Sequence, residues 1–277
     1  ISENSLYAYV HNPVINLVTI LLIVFGGIGY IVWWDLVGAL KNIRRQRLRC
    51  FTNLTFHSKI ALSVTGILIL AGTAAIFVFE YNNPLTIGSF SFIDKLQASL
   101  FQSVTTRTAG FATIPQEDLT NASAIASLLL MFIGGSPVGT AGGIKTVTFA
   151  VLITSAFATM KTHAEAELFH RTIPKHAVSK AVAVVSMAFI ILFTATLLLS
   201  AVTDADALDI VYETVSAAAT VGLTRSLTSE LNLWGRIIII ITMYLGRGGP
   251  ISLIIALNTK KETKNIIKNP TEDISVG

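Results

Sequence analysis

Thr108-Ala109-Gly110-Phe111 (the first phrase) recurs 112 residues later as Thr220-Val221-Gly222-Leu223 (the second phrase). Each copy follows a short amphipathic stretch and lies between two long apolar runs. This order is typical of a re-entrant pore loop. Irregular backbone is tolerated at membrane depth only where it lines a water-filled cavity or lies within protein, because lipid cannot satisfy its N–H and C=O groups. The repeated phrase therefore predicts an ion pathway.

Composition indicates that the chain lies in a membrane. Hydrophobic residues make up 52% of it, charged residues 13%, and the mean hydropathy is +0.68, whereas soluble domains average about 25% charged residues. A bilayer core about 30 Å thick needs about 20 apolar residues for each spanning helix. Such runs occur at Val14–Trp34, Ile60–Phe79, Val178–Val202 and Ile237–Leu257, with an interrupted run at Ala122–Met160. We predict an all-α polytopic membrane protein with five crossing elements and two dips.

The plan of span, pore loop and span occurs twice. Short helices are predicted at Phe92–Thr106 and Leu208–Ala218, each just before its phrase. The predicted divisions are an outer loop, closing helix and basic cytoplasmic loop of a preceding unit (1–50), one complete unit (51–176), a second complete unit (177–260) and a cytoplasmic tail (261–277). Because Val14–Trp34 fits the closing span of an earlier unit, we expect the chain, which begins at Ile1, to be part of a longer protein.

Basic residues orient the predicted spans. Of the 20 Lys and Arg residues, 14 lie in Lys41–Lys59, Lys161–Lys180 and Lys260–Lys268. By the positive-inside rule these segments are cytoplasmic, so both pore loops dip from the outer face. Lipid headgroups are the expected partners of these charges. Nucleic acid is not an expected partner, because the basic residues show no aromatic interleaving and no nucleic-acid-binding motif.

The residue types of the two phrases suit cation binding. Each short helix would direct the negative end of its dipole towards the bilayer centre. Gly110 and Gly222 can adopt φ > 0, which lets neighbouring carbonyls turn together and replace an ion's hydration shell. The predicted K+ site consists of backbone carbonyls at Thr108, Ala109, Gly110, Thr220, Val221 and Gly222. A potassium-channel filter has two glycines per unit and each unit here has one, so we expect a looser K+ preference; the alternative is that each phrase is only a packing turn.

A second informative segment interrupts the run Ala122–Met160. Gly134–Gly143 holds five glycines and a proline within ten residues, a composition that a continuous helix does not survive. We predict an intramembrane gating loop beneath the first phrase; the alternative is a close helix-packing site of small residues. The predicted gate comprises Gly134, Gly135, Ser136, Pro137, Gly139, Thr140, Ala141, Gly142, Gly143, Lys145 and Arg247.

Two of the gate residues are basic and lie at membrane depth. A helix-centre Arg costs about 2.5–3.5 kcal/mol on insertion scales, so Arg247 is predicted to face the protein interior and bind backbone carbonyls or a carboxylate. If Arg247 faces the pore, it would form an electrostatic barrier to cations that the gating loop relieves. If it lies outside the pore, it would only stabilise the structure. Lys145 follows the loop directly. The sequence predicts no single role for Arg107, which lies just before the first phrase; one interpretation is that it braces this phrase.

Other functions fit less well. Gly143-Ile144-Lys145 lacks the Gly-Lys-Ser/Thr of a Walker A loop. The five His residues show no metal-ligand spacing and no buried carboxylate pair is evident, so no enzyme is predicted. An alternating-access transporter predicts inverted repeats, whereas these units run in the same orientation; it stays an alternative, together with a less selective monovalent cation channel.

At these residues the chain resembles the Trk/Ktr/HKT superfamily of potassium transporters, and is most similar to the bacterial Ktr membrane subunit. The resemblance covers essentially the whole chain and rests on four motifs in order, Ser103–Phe111, Gly134–Thr146, Ala219–Leu223 and Gly246-Arg247. It implies that the two complete units are the third and fourth of four repeats around one pore. Gly110 and Gly222 would then be the third and fourth filter glycines, and Gly134–Gly143 the gating loop with Arg247 near it.

The resemblance also implies partners and a location. It implies K+ uptake across a bacterial plasma membrane that depends on, or is stimulated by, Na+. A homodimer with one pore per subunit and a cytoplasmic ring of nucleotide-binding regulatory subunits are further implications. Because the first two filter glycines are absent from this chain, the resemblance implies that this chain alone does not conduct.

Overall fold

A computed structural model describes residues 5–41, 54–161 and 165–257, with the backbone alone for 249–257. Its helices form from the apolar runs of the sequence, and polar residues cap several of them. The helices are α1 (Pro13–Gly27), α2 (Tyr30–Lys41), α3 (Phe56–Glu80), α4 (Phe92–Thr105), α5 (Asn121–Phe132), α6 (Thr146–Met160), α7 (Lys175–Ser200), α8 (Ala207–Ala218), α9 (Leu227–Glu230) and α10 (Leu233–Leu257). A 3-10 turn at Tyr7–Tyr9 and an antiparallel hairpin of β1 (Glu167–Leu168) and β2 (Arg171–Thr172) were not predicted. The predicted tail 261–277 and most of the first basic segment lie outside the described residues.

Side-chain caps begin several of these helices where the sequence turns from polar to apolar. Asn12 accepts hydrogen bonds from the N–H groups of the first turn of α1, and Thr55, Ser91 and Thr120 do the same for α3, α4 and α5. Such caps satisfy backbone donors that have no partner within the helix. Both short helices, α4 and α8, begin and end within a residue of their predicted bounds.

Among the described residues, two helices, α3 and α7, are long and apolar enough to cross a membrane, and α1 with α2 makes a third span if that bent pair is counted as one. The apolar helices α5 and α6 are shorter. They are the two halves of the predicted broken span, separated by the segment that contains Gly134–Gly143.

The predicted span Val14–Trp34 is not one straight helix. α1 and α2 meet at an angle of 105°, and Gly29 between them has φ +83°. A Cβ at Gly29 would overlap the carbonyl oxygen of Pro137, and the N–H of Tyr30 donates to the carbonyl of Val138 at 3.3 Å. The run is divided because the glycine-rich segment of a distant part of the chain packs into the bend.

The short helices occupy the inside of the molecule. α4 packs against α1 and α3, and α8 packs against α5, α7 and α10. Both carry polar side chains that are almost completely buried, including Gln102, Thr105 and Thr214. Buried polar groups must find hydrogen-bond partners, so these helices belong in a protein interior rather than against lipid.

Candidate ion pathway

The two phrases have the same unusual backbone. In the first, φ is +66° at Thr108 and +74° at Gly110; in the second, it is +56° at Thr220 and +92° at Gly222. The residue between each pair has a negative φ. When left- and right-handed conformations alternate, successive N–H groups point to one side of the chain and the carbonyl groups point to the other. A Thr at positive φ is uncommon, so its occurrence in both copies marks a shared and specific geometry.

The N–H groups of the phrases point back towards the helices before them. Ala109 donates to the carbonyl of Thr105 at 3.1 Å, and Val221 to the carbonyl of Ser216 at 2.8 Å. The N–H of Gly222 donates to the Ser216 hydroxyl at 3.1 Å. These bonds tie each phrase to the C-terminal end of its short helix, which is the negative end of the helix dipole.

The carbonyl groups of the phrases are available to a ligand. Within the described part of the chain, no hydrogen bond ends on the carbonyl oxygen of any of the six predicted site residues. Of these residues Val221 is buried, Gly222 is exposed and the other four are half-buried. Six free carbonyl oxygens at the negative ends of two helices form a set of ligands suited to a cation and unsuited to an anion.

The two phrases approach each other backbone to backbone. A Cβ added to Gly110 would overlap the carbonyl oxygen of Val221 and lie 3.3 Å from the Cα of Gly222. A Cβ added to Gly222 would lie 3.8 Å from the Cα of Gly110, which is ordinary van der Waals contact. The two glycines are therefore under different constraints. Both have a positive φ, but only at Gly110 would a side chain also overlap the opposite phrase.

The glycine-rich loop, Gly134–Gly143, has a defined conformation. Its ends are joined by a parallel bridge between Ile133 and Ile144, and the N–H of Thr146 donates to the carbonyl of Gly135 at 3.1 Å. Backbone groups that an α-helix would have satisfied are thus partly satisfied across the loop itself, as the membrane interior requires.

The loop also binds the bend between α1 and α2. The N–H of Ser136 donates to the carbonyl of Gly27 at 2.8 Å, and the Thr140 hydroxyl donates to the carbonyl of Gly26 at 3.2 Å. These contacts join the first complete unit to the helix that precedes it.

The loop lies against the second phrase, whereas the sequence placed it beneath the first. A Cβ at Gly142 would overlap the Thr220 hydroxyl and the Ala219 carbonyl. The link to the first phrase is made by Arg107, whose guanidinium donates to the carbonyl of Gly134 and to the Thr65 hydroxyl, both at 3.3 Å. The absence of a side chain at Gly142 is what permits this close approach to the second unit.

The two predicted basic gate residues both bind carbonyls of the loop. Lys145 donates to Ala141, and Arg247 donates to Thr140 at 2.6 Å. The prediction that Arg247 binds backbone carbonyls is confirmed, but those carbonyls do not come from its own glycine and proline neighbours. Its side chain is also exposed rather than buried within this chain. Since a charge at membrane depth avoids lipid, that exposed face is expected to border water or further protein.

Sequence reasoning missed two parts of this arrangement. The bend at Gly29 lies in a cluster of three glycines, Gly26, Gly27 and Gly29, and such a cluster is itself a sequence signal for a break in a helix. The contacts of Arg107 had no sequence signal beyond its place before the first phrase. Among the described residues, no group of three or more His, Cys, Asp or Glu side chains is arranged to hold a metal ion.

The fold defines the class of protein. The chain superimposes on the crystal structure of the potassium transporter TrkH from Vibrio parahaemolyticus with a TM-score of 0.73, at 18% sequence identity, over 88% of this chain and 52% of that one. At this identity the likeness shows the fold alone, which is that of a mostly helical protein.

The family follows from the sequence. The family model described as TrkH, cation transport protein, matches residues 1–269, and the chain therefore belongs to this family. It is 38% identical over 274 residues to Ktr system potassium uptake protein B of Bacillus subtilis, and 34% identical over 275 residues to the protein of the same name from Vibrio alginolyticus. It is 35% identical over 279 residues to the potassium/sodium uptake protein NtpJ of Enterococcus hirae.

These three alignments include 99% of this chain but only 58–60% of each relative. The chain thus spans less than two thirds of the length of the relatives it matches. With its family membership and its apolar helices, it is a multi-pass membrane protein.

Proposed function

We propose that the full-length protein moves K+ across the cell membrane as the pore-forming subunit of a Trk/Ktr-type uptake system. One observation carries the proposal: two phrases of identical backbone handedness meet at the ends of two short helices, with six carbonyl oxygens that accept no hydrogen bond within the described residues. Such carbonyls replace the hydration shell of a permeating cation. Relatives named as potassium uptake proteins support K+ as the cargo.

The proposed architecture is a helix, pore loop and helix unit repeated around one pore, of which this chain supplies the third and fourth. The remaining ligands of the ion would come from the units outside this chain. A homodimer in the lipid bilayer, with a cytoplasmic ring of nucleotide-binding regulatory subunits, is proposed from the family resemblance. The name of the Enterococcus relative, which includes sodium, favours a coupling or activating role for Na+.

The proposed gate is the glycine-rich loop with Lys145 and Arg247. The loop touches the second phrase at Gly142, so a change in its position alters the space next to the ion site. Arg247 holds the loop at Thr140 and places a positive charge on an exposed face beside it. Together they would oppose cation passage until the loop moves.

A less selective monovalent cation channel is the second candidate. The single glycine in each phrase favours it, since fewer carbonyls can face the axis than in a filter with two glycines per unit. The ratio of Na+ to K+ influx distinguishes the two candidates, because equal influx of the two ions excludes a potassium-selective transporter. Alternating access would show itself as a rate that saturates at a turnover far below channel conduction.

The test is K+ uptake by the full-length protein in potassium-starved cells that lack their own transporters. Gly222→Ser is compared with Gly66→Ser, a helical glycine on α3 where an added Cβ meets no atom within 4 Å. We expect wild type and Gly66→Ser to restore growth, Gly222→Ser to weaken K+ affinity or selectivity, and deletion of 136–143 to leak. If the wild type carries no K+, or Gly222→Ser behaves as Gly66→Ser does, the phrases are packing turns and the proposal fails.

A further inference from the structure

Three buried side chains behind the phrases form a link between the two units. Gln102 lies on α4, Gln116 on the limb that follows the first phrase, and Tyr212 on α8 of the second unit. Their exposed fractions are 0%, 2% and 0%. Neither the proposed ion site nor the proposed gate accounts for polar groups buried at this place.

The hydrogen bonds of Gln116 determine the geometry of the link. Its Nε2 donates to the carbonyl of Ile114 at 2.8 Å and to Oε1 of Gln102 at 3.1 Å. Its Oε1 accepts from Nε2 of Gln102 at 2.7 Å and from the Tyr212 hydroxyl at 3.1 Å. The bond to Ile114 settles the orientation of the amide, so the Tyr212 hydroxyl must be the donor. Both atoms of the amide are therefore fully used.

A second connection joins the same two regions. Arg225, which follows the second phrase, donates to the carbonyls of Gln116 and Leu119 at 3.2 Å. Its Nε is held by Asp209 of α8 at 2.7 Å. The limb after the first phrase is thus bound twice to the second unit, once through a buried side-chain amide and once through its backbone.

The phrases themselves supply no such link. Gly110 and Gly222 meet through van der Waals contact, and no hydrogen bond joins the two phrases among the described residues. Their separation must then be set by the structure behind them. Since fully satisfied buried polar networks favour one arrangement over its alternatives, the linked side chains are suited to fix that separation. The selectivity of a carbonyl site depends on the size of the cavity and on how its carbonyls are arranged.

We propose that Tyr212, Gln116 and Gln102 are positioning residues that set the spacing between the third and fourth filter phrases, and thereby the preference for K+ over Na+. This inference rests on the proposed function, because it assigns a determinant of selectivity to the same ion site. None of the three residues touches the ion in this arrangement; they act through the position of the two phrases.

The decisive variant is Tyr212→Phe, which removes one hydroxyl and keeps the packing of the ring. Thr196→Val is the matched control, because the Thr196 hydroxyl bonds the Thr214 hydroxyl at 2.9 Å between α7 and α8, without linking the two units. Gln102→Met tests the other side of the network. If Tyr212→Phe does not accumulate as folded protein, the result for Gln102→Met tests the positioning role instead.

The measurement is the ratio of sodium to rubidium influx into proteoliposomes that contain the full-length protein, a ratio that does not depend on the amount of protein. We expect Tyr212→Phe and Gln102→Met to raise the ratio about fivefold, the factor that corresponds to one hydrogen bond of typical net strength. Because both act through Gln116, the double variant is expected to fall short of the product of the single effects. Thr196→Val is expected to leave the ratio unchanged.

A wild-type ratio in both Tyr212→Phe and Gln102→Met, in liposomes that take up rubidium, overturns the positioning role and leaves the proposed function standing. A shift in Thr196→Val equal to that in Tyr212→Phe overturns it as well, since any loss of an α8 hydrogen bond would then suffice. If the wild type takes up neither ion, the proposed function fails and this inference fails with it.

Discussion

Substituting alanine at the two phrase glycines is expected to give unequal effects. Gly110 and Gly222 have φ of +74° and +92°, and placing an L-residue in a left-handed conformation costs about 1–2 kcal/mol. At Gly222 that is the main cost, because the nearest atom to the new Cβ is 3.8 Å away.

At Gly110 a second cost is added. The new Cβ would overlap the carbonyl oxygen of Val221, and overpacking a close-packed site typically costs about 1–3 kcal/mol more. The overlap is relieved by displacing that carbonyl, which is one of the proposed ion ligands. The difference between the two variants is therefore expected to appear in ion binding as well as in folding.

The assay is the K+ concentration that gives half-maximal uptake in cells that lack their own transporters, with the amount of folded protein measured in parallel. Gly110→Ala is expected to raise this concentration about 5- to 150-fold more than Gly222→Ala does, the range that corresponds to about 1–3 kcal/mol. Equal effects, or a larger effect at Gly222, would show that the contact of Gly110 with the opposite phrase does not constrain the ion site.

Three further predictions concern the loop and its surroundings. Arg247→Gln removes a charged donor that binds the loop at 2.6 Å; losing such a bond costs about 1.5–3 kcal/mol, so we expect a higher initial rate of cation influx at saturating K+. Gly29→Ala places a Cβ against the carbonyl of Pro137 at φ +83°, and we expect a lower unfolding temperature in detergent together with an altered basal influx. Glu80→Gln replaces a fully buried carboxylate whose oxygens accept hydrogen bonds from Asn83, Thr86 and Thr120, and we expect a destabilisation of about 1.5–3 kcal/mol, measured by thermal denaturation, with the ion selectivity of the folded fraction unchanged.

Matched controls exist for the first two of these predictions. Arg236→Gln alters another Arg of α10, which binds the carbonyl of Leu231 and not the loop; an equal rise in influx there would contradict the role of Arg247. Gly27→Ala adds a Cβ that meets no atom within 4 Å, and is expected to be neutral or to stabilise by about 0.4–1 kcal/mol. For Glu80→Gln, an unchanged unfolding temperature would show that the hydrogen bonds to its carboxylate contribute nothing to stability.

Much of the fold could be predicted because each of its signals is local. The lengths of the apolar runs, the two short helices and the break in the span at Gly134–Gly143 depend on the bilayer thickness and on glycine and proline in short windows of sequence. The bend within the predicted span Val14–Trp34 was not predicted, for the opposite reason. This bend at Gly29 depends on Pro137, which is more than 100 residues away along the chain.

At the candidate site, the two phrases and the positive φ of Gly110 and Gly222 could be predicted, because the Thr-x-Gly phrase recurs in equivalent positions of a repeated unit; the positive φ of Thr108 and Thr220 could not. How the two phrases meet depends on contacts between distant segments. Gly110 is crowded and Gly222 is not, the loop lies against the second phrase, and Tyr212 reaches Gln116 across the two units. Composition and spacing predict the local structure of each segment, such as a helix, a turn or a break in a helix. The contacts between surfaces depend on packing between segments that are 96 to 112 residues apart. A local pattern of residues does not predict contacts over such a separation in sequence.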